Sequence, residues 1–273
     1  MADKRPRVLV PTGYGLNCEE ETAYGYRLAG ADADIVHIND VISSPKMLED
    51  YHILALIGGF ADGDHIASGK VHANRLKYRL GGAIEEFIEN GKLVIGVCNG
   101  FQTMVKYGLL PAIDNRYRTE TVTLTYNDSG KFEDRWVHLL ANSDSKCVWT
   151  RNVGAISLPV RHGEGKLRAG SGDVMETIVE EKLDALHYIN PHTQEIAKES
   201  DYPYNPNGSA MSIAGLCDPT GRVFGMMPHW EAYLSPYNHP LWQRLRAAGK
   251  LPEQGLGLKI GMNGVEYARE KLL

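Results

Sequence analysis

The chain has 273 residues, 43% hydrophobic and 23% charged, a balance that excludes disordered, collagen-like and coiled-coil proteins. Its 29 Lys and Arg stand against 34 Asp and Glu, a formal net charge of -5 with no basic block, so no nucleic-acid partner is expected. No stretch reaches the roughly 20 apolar residues that cross a bilayer, which removes the membrane from the expected partners.

Residues 7–10 (Arg7, Val8, Leu9, Val10) read as a buried strand. Asn17, followed by Glu19, Glu20 and Glu21, reads as a helix start with carboxylates against the positive end of the helix dipole, and that helix runs to about Gly30. Short apolar runs at 33–38, 52–57 and 92–97 are further strands, each bounded by Gly, Asp or Asn. Between the last two, Leu76, Leu80, Ile84, Phe87 and Ile88 recur at helical spacing over 74–90. Alternation of this kind predicts an α/β fold: a three-layer, flavodoxin-like open parallel sheet. The middle changes character. β-branched and aromatic residues alternate with polar ones over 119–126, Asn127-Asp128-Ser129-Gly130 signals a turn, and 136–140 resumes, which predicts an added antiparallel hairpin. Strands follow at 155–160, 213–216 and 222–227. No Pro-, Gly- or Ser-rich linker divides the chain, so residues 1–273 are read as a single domain with a C-terminal extension from about 241 that ends in an amphipathic stretch at 265–272. Cys18, Cys98, Cys147 and Cys217 show no CxxC spacing, and residues 1–7 are polar and basic without the apolar core of a signal peptide. A reducing, cytoplasmic setting is expected.

The chemistry centres on Gly96-Val97-Cys98-Asn99-Gly100, which follows an apolar strand and precedes a helix containing Phe101, Met104 and Val105. This is a nucleophile elbow with Cys in place of Ser. Such a turn strains the central backbone and tolerates it only where the residues two before and two after lack bulk, as Gly96 and Gly100 do. A thiol raised at a helix N-terminus beside an imidazolium favours the thiolate. Gly58-Gly59-Phe60-Ala61-Asp62-Gly63-Asp64, at the carboxyl end of another strand, is an oxyanion loop, a plain turn or, lacking the P-loop Lys-Ser/Thr, a poor phosphate cradle. As an oxyanion loop its N–H groups join that of Asn99, each donor contributing about 3 kcal/mol. Two pairs of identical form offer the base, His229 with Glu231 and His162 with Glu164. In an extended segment residues two apart point the same way about 6.6 Å apart, so either Glu is able to orient its His. Cys18 lacks flanking glycines and reads as packing at a helix start.

Asn17-Cys18-Glu19, Gly58-Gly59-Phe60 with Gly63-Asp64, Gly96-Val97-Cys98-Asn99-Gly100-Phe101-Gln102, Phe132-Glu133 with Arg135-Trp136-Val137, Pro159-Val160 with His162-Gly163-Glu164-Gly165, Asn205-Pro206-Asn207-Gly208-Ser209, and Met227-Pro228-His229 with Glu231 occur in this order over about 7–235. Together they resemble the glutaminase subunits of phosphoribosylformylglycinamidine synthase, which are class I glutamine amidotransferases. The resemblance implies hydrolysis of L-glutamine to glutamate and ammonia, with Cys98, His229 and Glu231 catalytic and Gly59, Phe60 and Asn99 forming the oxyanion hole. It puts Gln102, His162, Gly163 and Glu164 around the substrate. It also implies no metal or cofactor in this subunit: ATP and magnesium belong to a synthetase partner of de novo purine biosynthesis, joined through a small bridging subunit. The family usually carries Pro where Trp230 stands. The charged stretch 70–79 and the C-terminal extension exceed the family pattern and are expected either to meet the synthetase or to be solvated. A stand-alone cysteine amidohydrolase and a non-catalytic interaction subunit remain alternatives, the second disfavoured by the intact trio.

Overall fold

The computed structural model describes residues 4–273; residues 1–3 of the N-terminal segment read above lie outside it. In chain order it contains β1 (Arg7–Thr12), α1 (Glu19–Leu28), β2 (Asp32–His37), α2 (Ile38–Ser43), β3 (Ile53–Leu56), α3 (Lys70–Arg79), α4 (Gly81–Glu89), β4 (Leu93–Val97) and α5 (Asn99–Tyr107). There follow β5 (Val122–Tyr126), β6 (Glu133–Ala141), β7 (Ala155–His162), β8 (Glu164–Ala169), α6 (Gly172–Glu180), β9 (Leu186–Tyr188), β10 (Ile213–Cys217), β11 (Val223–Met226), α7 (Trp242–Ala247) and α8 (Leu258–Lys271).

Among the described residues the main sheet has the order β2-β1-β3-β4-β11-β10-β9-β6-β7. The first five strands are parallel, in the doubly wound order of a flavodoxin-like sheet, and the remainder are antiparallel. β3 and β4 are buried at every residue, as their unbroken apolar runs require of central strands covered on both faces. Right-handed crossovers place the β1–β2 connection and the β3–β4 connection on opposite faces. The topology therefore brings the loops after β1, β3, β4 and β11 to one rim, at the carboxyl ends of the parallel strands, where open α/β sheets bind ligands.

Three expectations change. The predicted hairpin does not form: β5 pairs with β8 in a separate two-stranded sheet, whereas β6 pairs with β7 in the main one. The turn at 127–130 exists, with Gly130 N–H donating to Asn127 O, but Asn127 N–H donates to Gly163 O, tying this turn to the β7–β8 corner instead of folding β5 onto β6. The helix expected over 74–90 is two helices meeting at Leu80, because Gly81 and Gly82 supply no helix propensity at the junction. The start of α1 is flanked by Cys18, not Asn17, and carries no side-chain cap.

The C-terminal extension returns to the body of the protein. α8 packs along α1, and Asn263 Nδ2 donates to the carbonyls of Trp149 and Arg151 at 2.9 and 2.8 Å. Trp230 is fully buried between these helices, edge-on to Tyr26 at 5.2 Å, and a Cβ at either Gly25 or Gly261 would stand 2.8 Å from its ring. In the basic stretch, Lys70 pairs with Glu120, Arg75 makes a two-point ion pair with Asp62 and covers the Tyr14 ring, and Lys77 donates to Arg118 O. These three cations are thus held by the chain's own groups.

Candidate active site

β4 ends at Val97 and α5 begins at Asn99, so Cys98 alone makes the turn, with φ 51° and ψ -107°. For a residue with a side chain this is a strained conformation. The flanking glycines are required by contact: a Cβ at Gly100 would collide with the Leu56 carbonyl, and one at Gly96 with Met104 Sδ. The thiol is 5% exposed and its Sγ lies 3.3 Å from Arg161 O, at the end of β7.

Past the end of β11, His229 is anchored by its N–H, which donates to Pro159 O at 2.8 Å. Its Nδ1 lies 2.5 Å from Glu231 Oε1, with both side chains almost wholly buried. Burial by itself pushes the imidazole down, but the Glu231 charge and the nearby Cys98 and Cys18 thiols reverse this and hold His229 well above the usual histidine range. Although both thiols lie near enough to act on the imidazole's charge, Nε2 itself has no hydrogen-bond partner.

The second His-x-Glu pair is built differently. His162 and Glu164 fall on either side of the β7–β8 corner, and Glu164 accepts the Ser68 N–H on both oxygens at 3.2 Å instead of orienting His162. His162 Nδ1 lies 3.0 Å from Asn127 Oδ1. Burial, reinforced by the charge of His229, lowers His162 to about 3, so it is neutral. Only one of the two pairs thus has its carboxylate on its imidazole.

Around the nucleophile, Asn99 Nδ2 donates to Asp64 Oδ1 and Gln102 Oε1, while Gln102 Nε2 donates to Glu164 O. Gln102 is a buried strut between α5 and the start of β8, next to Glu164 of the same expected substrate group. Burial raises the Asp64 carboxyl above its ordinary value, against hydrogen bonds from Ser68 and Asn99 that pull it down. In the loop after β3, Phe60 N–H donates to Gly15 O at 2.9 Å and is not free for an oxyanion, which corrects the expectation for Phe60. The Gly59 and Asn99 N–H groups have no loop or side-chain acceptor among the described residues. Asn205-Pro206-Asn207-Gly208-Ser209 braces the far side of the corner, where Asn207 Nδ2 and Ser209 Oγ both donate to Gly165 O.

Sequence reasoning passed over Asn127, Asp64, Ser68 and the Arg161 carbonyl, because their roles depend on corners and loops that no local pattern encodes. It also took Cys18 as packing. Cys18 is buried beside α1, yet ligand atoms of Cys18, His229 and Glu231 lie within 4.8 Å of one another. All four cysteines are free, and among the described residues no helix is long and apolar enough to cross a membrane.

Residues 5–268 match the family model of the CobB/CobQ-like glutamine amidotransferase domain. The chain is 43% identical over 256 residues to phosphoribosylformylglycinamidine synthase subunit PurQ of Dehalococcoides mccartyi, covering 94% of this chain and 95% of that one. It is 41% identical to PurQ of Methanococcus maripaludis, covering 96% of this chain and 97% of the relative. Among solved structures it is similar to a chain of PurLQS from Thermotoga maritima, with TM-score 0.68 and 26% identity over 97% of this chain and 99% of that chain. A glutamine amidotransferase of the same organism, at 16% identity and TM-score 0.52 over 98% and 99% of the two chains, shares the fold. On these grounds the chain belongs to the PurQ family, the glutamine amidotransferase subunits of phosphoribosylformylglycinamidine synthase.

Proposed function

We propose that the chain hydrolyses L-glutamine to glutamate and ammonia through Cys98, His229 and Glu231, and passes the ammonia to a synthetase subunit in de novo purine biosynthesis. The observation that carries this reading is the strained elbow at Cys98, which sets its thiol close enough to the His229–Glu231 pair to influence the imidazole's charge. His229 holds the proton of the Cys98 thiol, and the sulfur attacks the side-chain amide carbon of glutamine. Charge moves to the amide oxygen, which accepts from the Gly59 and Asn99 N–H groups, each contributing about 3 kcal/mol. Collapse breaks the C–N bond as His229 delivers its proton to the departing nitrogen, giving ammonia and a γ-glutamyl thioester. His229, now neutral, takes a proton from water; the hydroxide attacks the thioester and the thiol is regenerated with glutamate. Glu231 keeps the ring in one tautomer and stabilises its charged form.

Glutamine lies against the β7–β8 corner, in reach of His162, Gly163 and Glu164. No metal or organic cofactor takes part in this subunit; ATP and magnesium act on the synthetase, and a small bridging subunit completes the assembly. A PurLQS assembly among its structural relatives supports that arrangement, and four free thiols suit the cytoplasm. The test is glutamate release by wild type and Cys98→Ala, with and without the synthetase subunit. Loss in Cys98→Ala is expected; full release by that variant overturns the mechanism. Full wild-type turnover that the synthetase subunit does not change would replace the subunit reading by that of a free-standing amidohydrolase.

A further inference from the structure

Beside the His229 imidazole, three metal-ligating groups converge. Ligand atoms of Cys18, His229 and Glu231 lie within 4.8 Å of one another. Cys18 Sγ lies 3.5 Å from Asn17 Oδ1 and beside the His229 ring. Glu231 places Oε1 on His229 Nδ1 and leaves Oε2 buried with no hydrogen-bond partner. The two side chains are 1% and 3% exposed. A buried polar atom left unpartnered costs about 1–3 kcal/mol, more when charged, and such a cluster persists where something else gains from it.

We propose that Cys18, His229 and Glu231 form a binding site for a thiophilic divalent cation, Zn²⁺ foremost, and that its occupation stops glutamine hydrolysis. Thiolate, imidazole and carboxylate are the three side-chain ligand types of zinc sites, and a set of three with an open fourth position is stable. With Zn–S near 2.3 Å and Zn–N near 2.0–2.1 Å, ligand atoms of a tetrahedral site stand roughly 3.5 Å apart, so an ion on His229 Nδ1 needs Glu231 to draw back and Cys18 to move in by about 1 Å each. The ion binds where His229 otherwise carries its proton, and the ring then neither accepts a proton from Cys98 nor gives one to the leaving nitrogen. That the ion stops turnover rests on the triad proposed above; that it binds does not.

Cobalt reports the site directly, since a thiolate bound to Co²⁺ gives a charge-transfer absorption. Cys98→Ala removes the other nearby thiol, and this variant is expected to bind one Co²⁺ with that absorption and to lose it on addition of Zn²⁺. The absorption should vanish when Cys18→Ala or the near-isosteric Cys18→Ser is added; persistence in both double variants, or no cobalt absorption in Cys98→Ala, overturns the site. In glutamate release, each protein compared with its own metal-free rate, Cys18→Ser is expected to weaken Zn²⁺ inhibition about 10- to 100-fold, and unchanged sensitivity overturns the inhibitory role. If cobalt binds through Cys18 while the metal-free wild type releases no glutamate with its synthetase subunit, the glutaminase reading fails and the metal site stands.

Discussion

Replacing Glu231 by Gln preserves the shape of the side chain and removes its charge from a 2.5 Å bond buried against His229. A hydrogen bond to a charged group contributes about 1.5–3 kcal/mol, and a neutral one about half of that. Gln therefore forfeits about 0.8–1.5 kcal/mol of the stabilisation that the imidazolium receives each time it forms, which is about a 4- to 13-fold fall in kcat. Ala forfeits all of it, about 10- to 150-fold. The expected order is wild type, then Glu231→Gln, then Glu231→Ala, with KM moving much less than kcat, because Glu231 acts through His229 and not on glutamine. Glutamate release under saturating glutamine measures this, and labelling of Cys98 by a diazoketone analogue of glutamine, followed by mass spectrometry, gives a second rate independent of ammonia transfer. If both variants stay within about twofold of wild type while Cys98→Ala is inactive, the carboxylate does not support the imidazole and the assignment of Glu231 is wrong.

His72 is buried and held down to about 4, chiefly by that burial, below its ordinary 6.5. A depressed histidine contributes stability that is complete above the unfolded value and is lost as pH falls between the two, here about 2 kcal/mol by pH 5; urea melts should show that loss, and His72→Leu should reduce it by about that amount. Gly100→Ala drives a methyl group into the Leu56 carbonyl, and thermal melting should show a loss of about 1–3 kcal/mol or more together with slower labelling of Cys98. Asn127→Ala removes the partner of His162 Nδ1 and the donor to His162 O, and is expected to raise KM for glutamine more than it lowers kcat; an unchanged KM would detach that corner from substrate binding.

The parallel half of the sheet and the elbow were legible because both depend on local pattern. A fully buried strand is an unbroken apolar run, and only a small residue tolerates the contacts made at positions 96 and 100. The antiparallel half was less legible. β9 has three residues and β8 contains Lys166 and Arg168, too short or too polar for alternation to register, and pairing of β5 with β8 depends on Asn127 bonding across the β7–β8 corner. The two His-x-Glu pairs look identical in sequence, yet one spans a single loop after β11 and the other a corner between two sheets, a difference that periodicity does not carry. Phe60 failed as an oxyanion donor for a similar reason: its N–H is bonded to Gly15, in a loop joined to it only by the fold.

Trp230 stands between His229 and Glu231 in the chain, and its indole is gripped by a helix made of residues 258–271. Removal of that helix would expose the indole to water and loosen the backbone on either side of it, which carries His229 and Glu231.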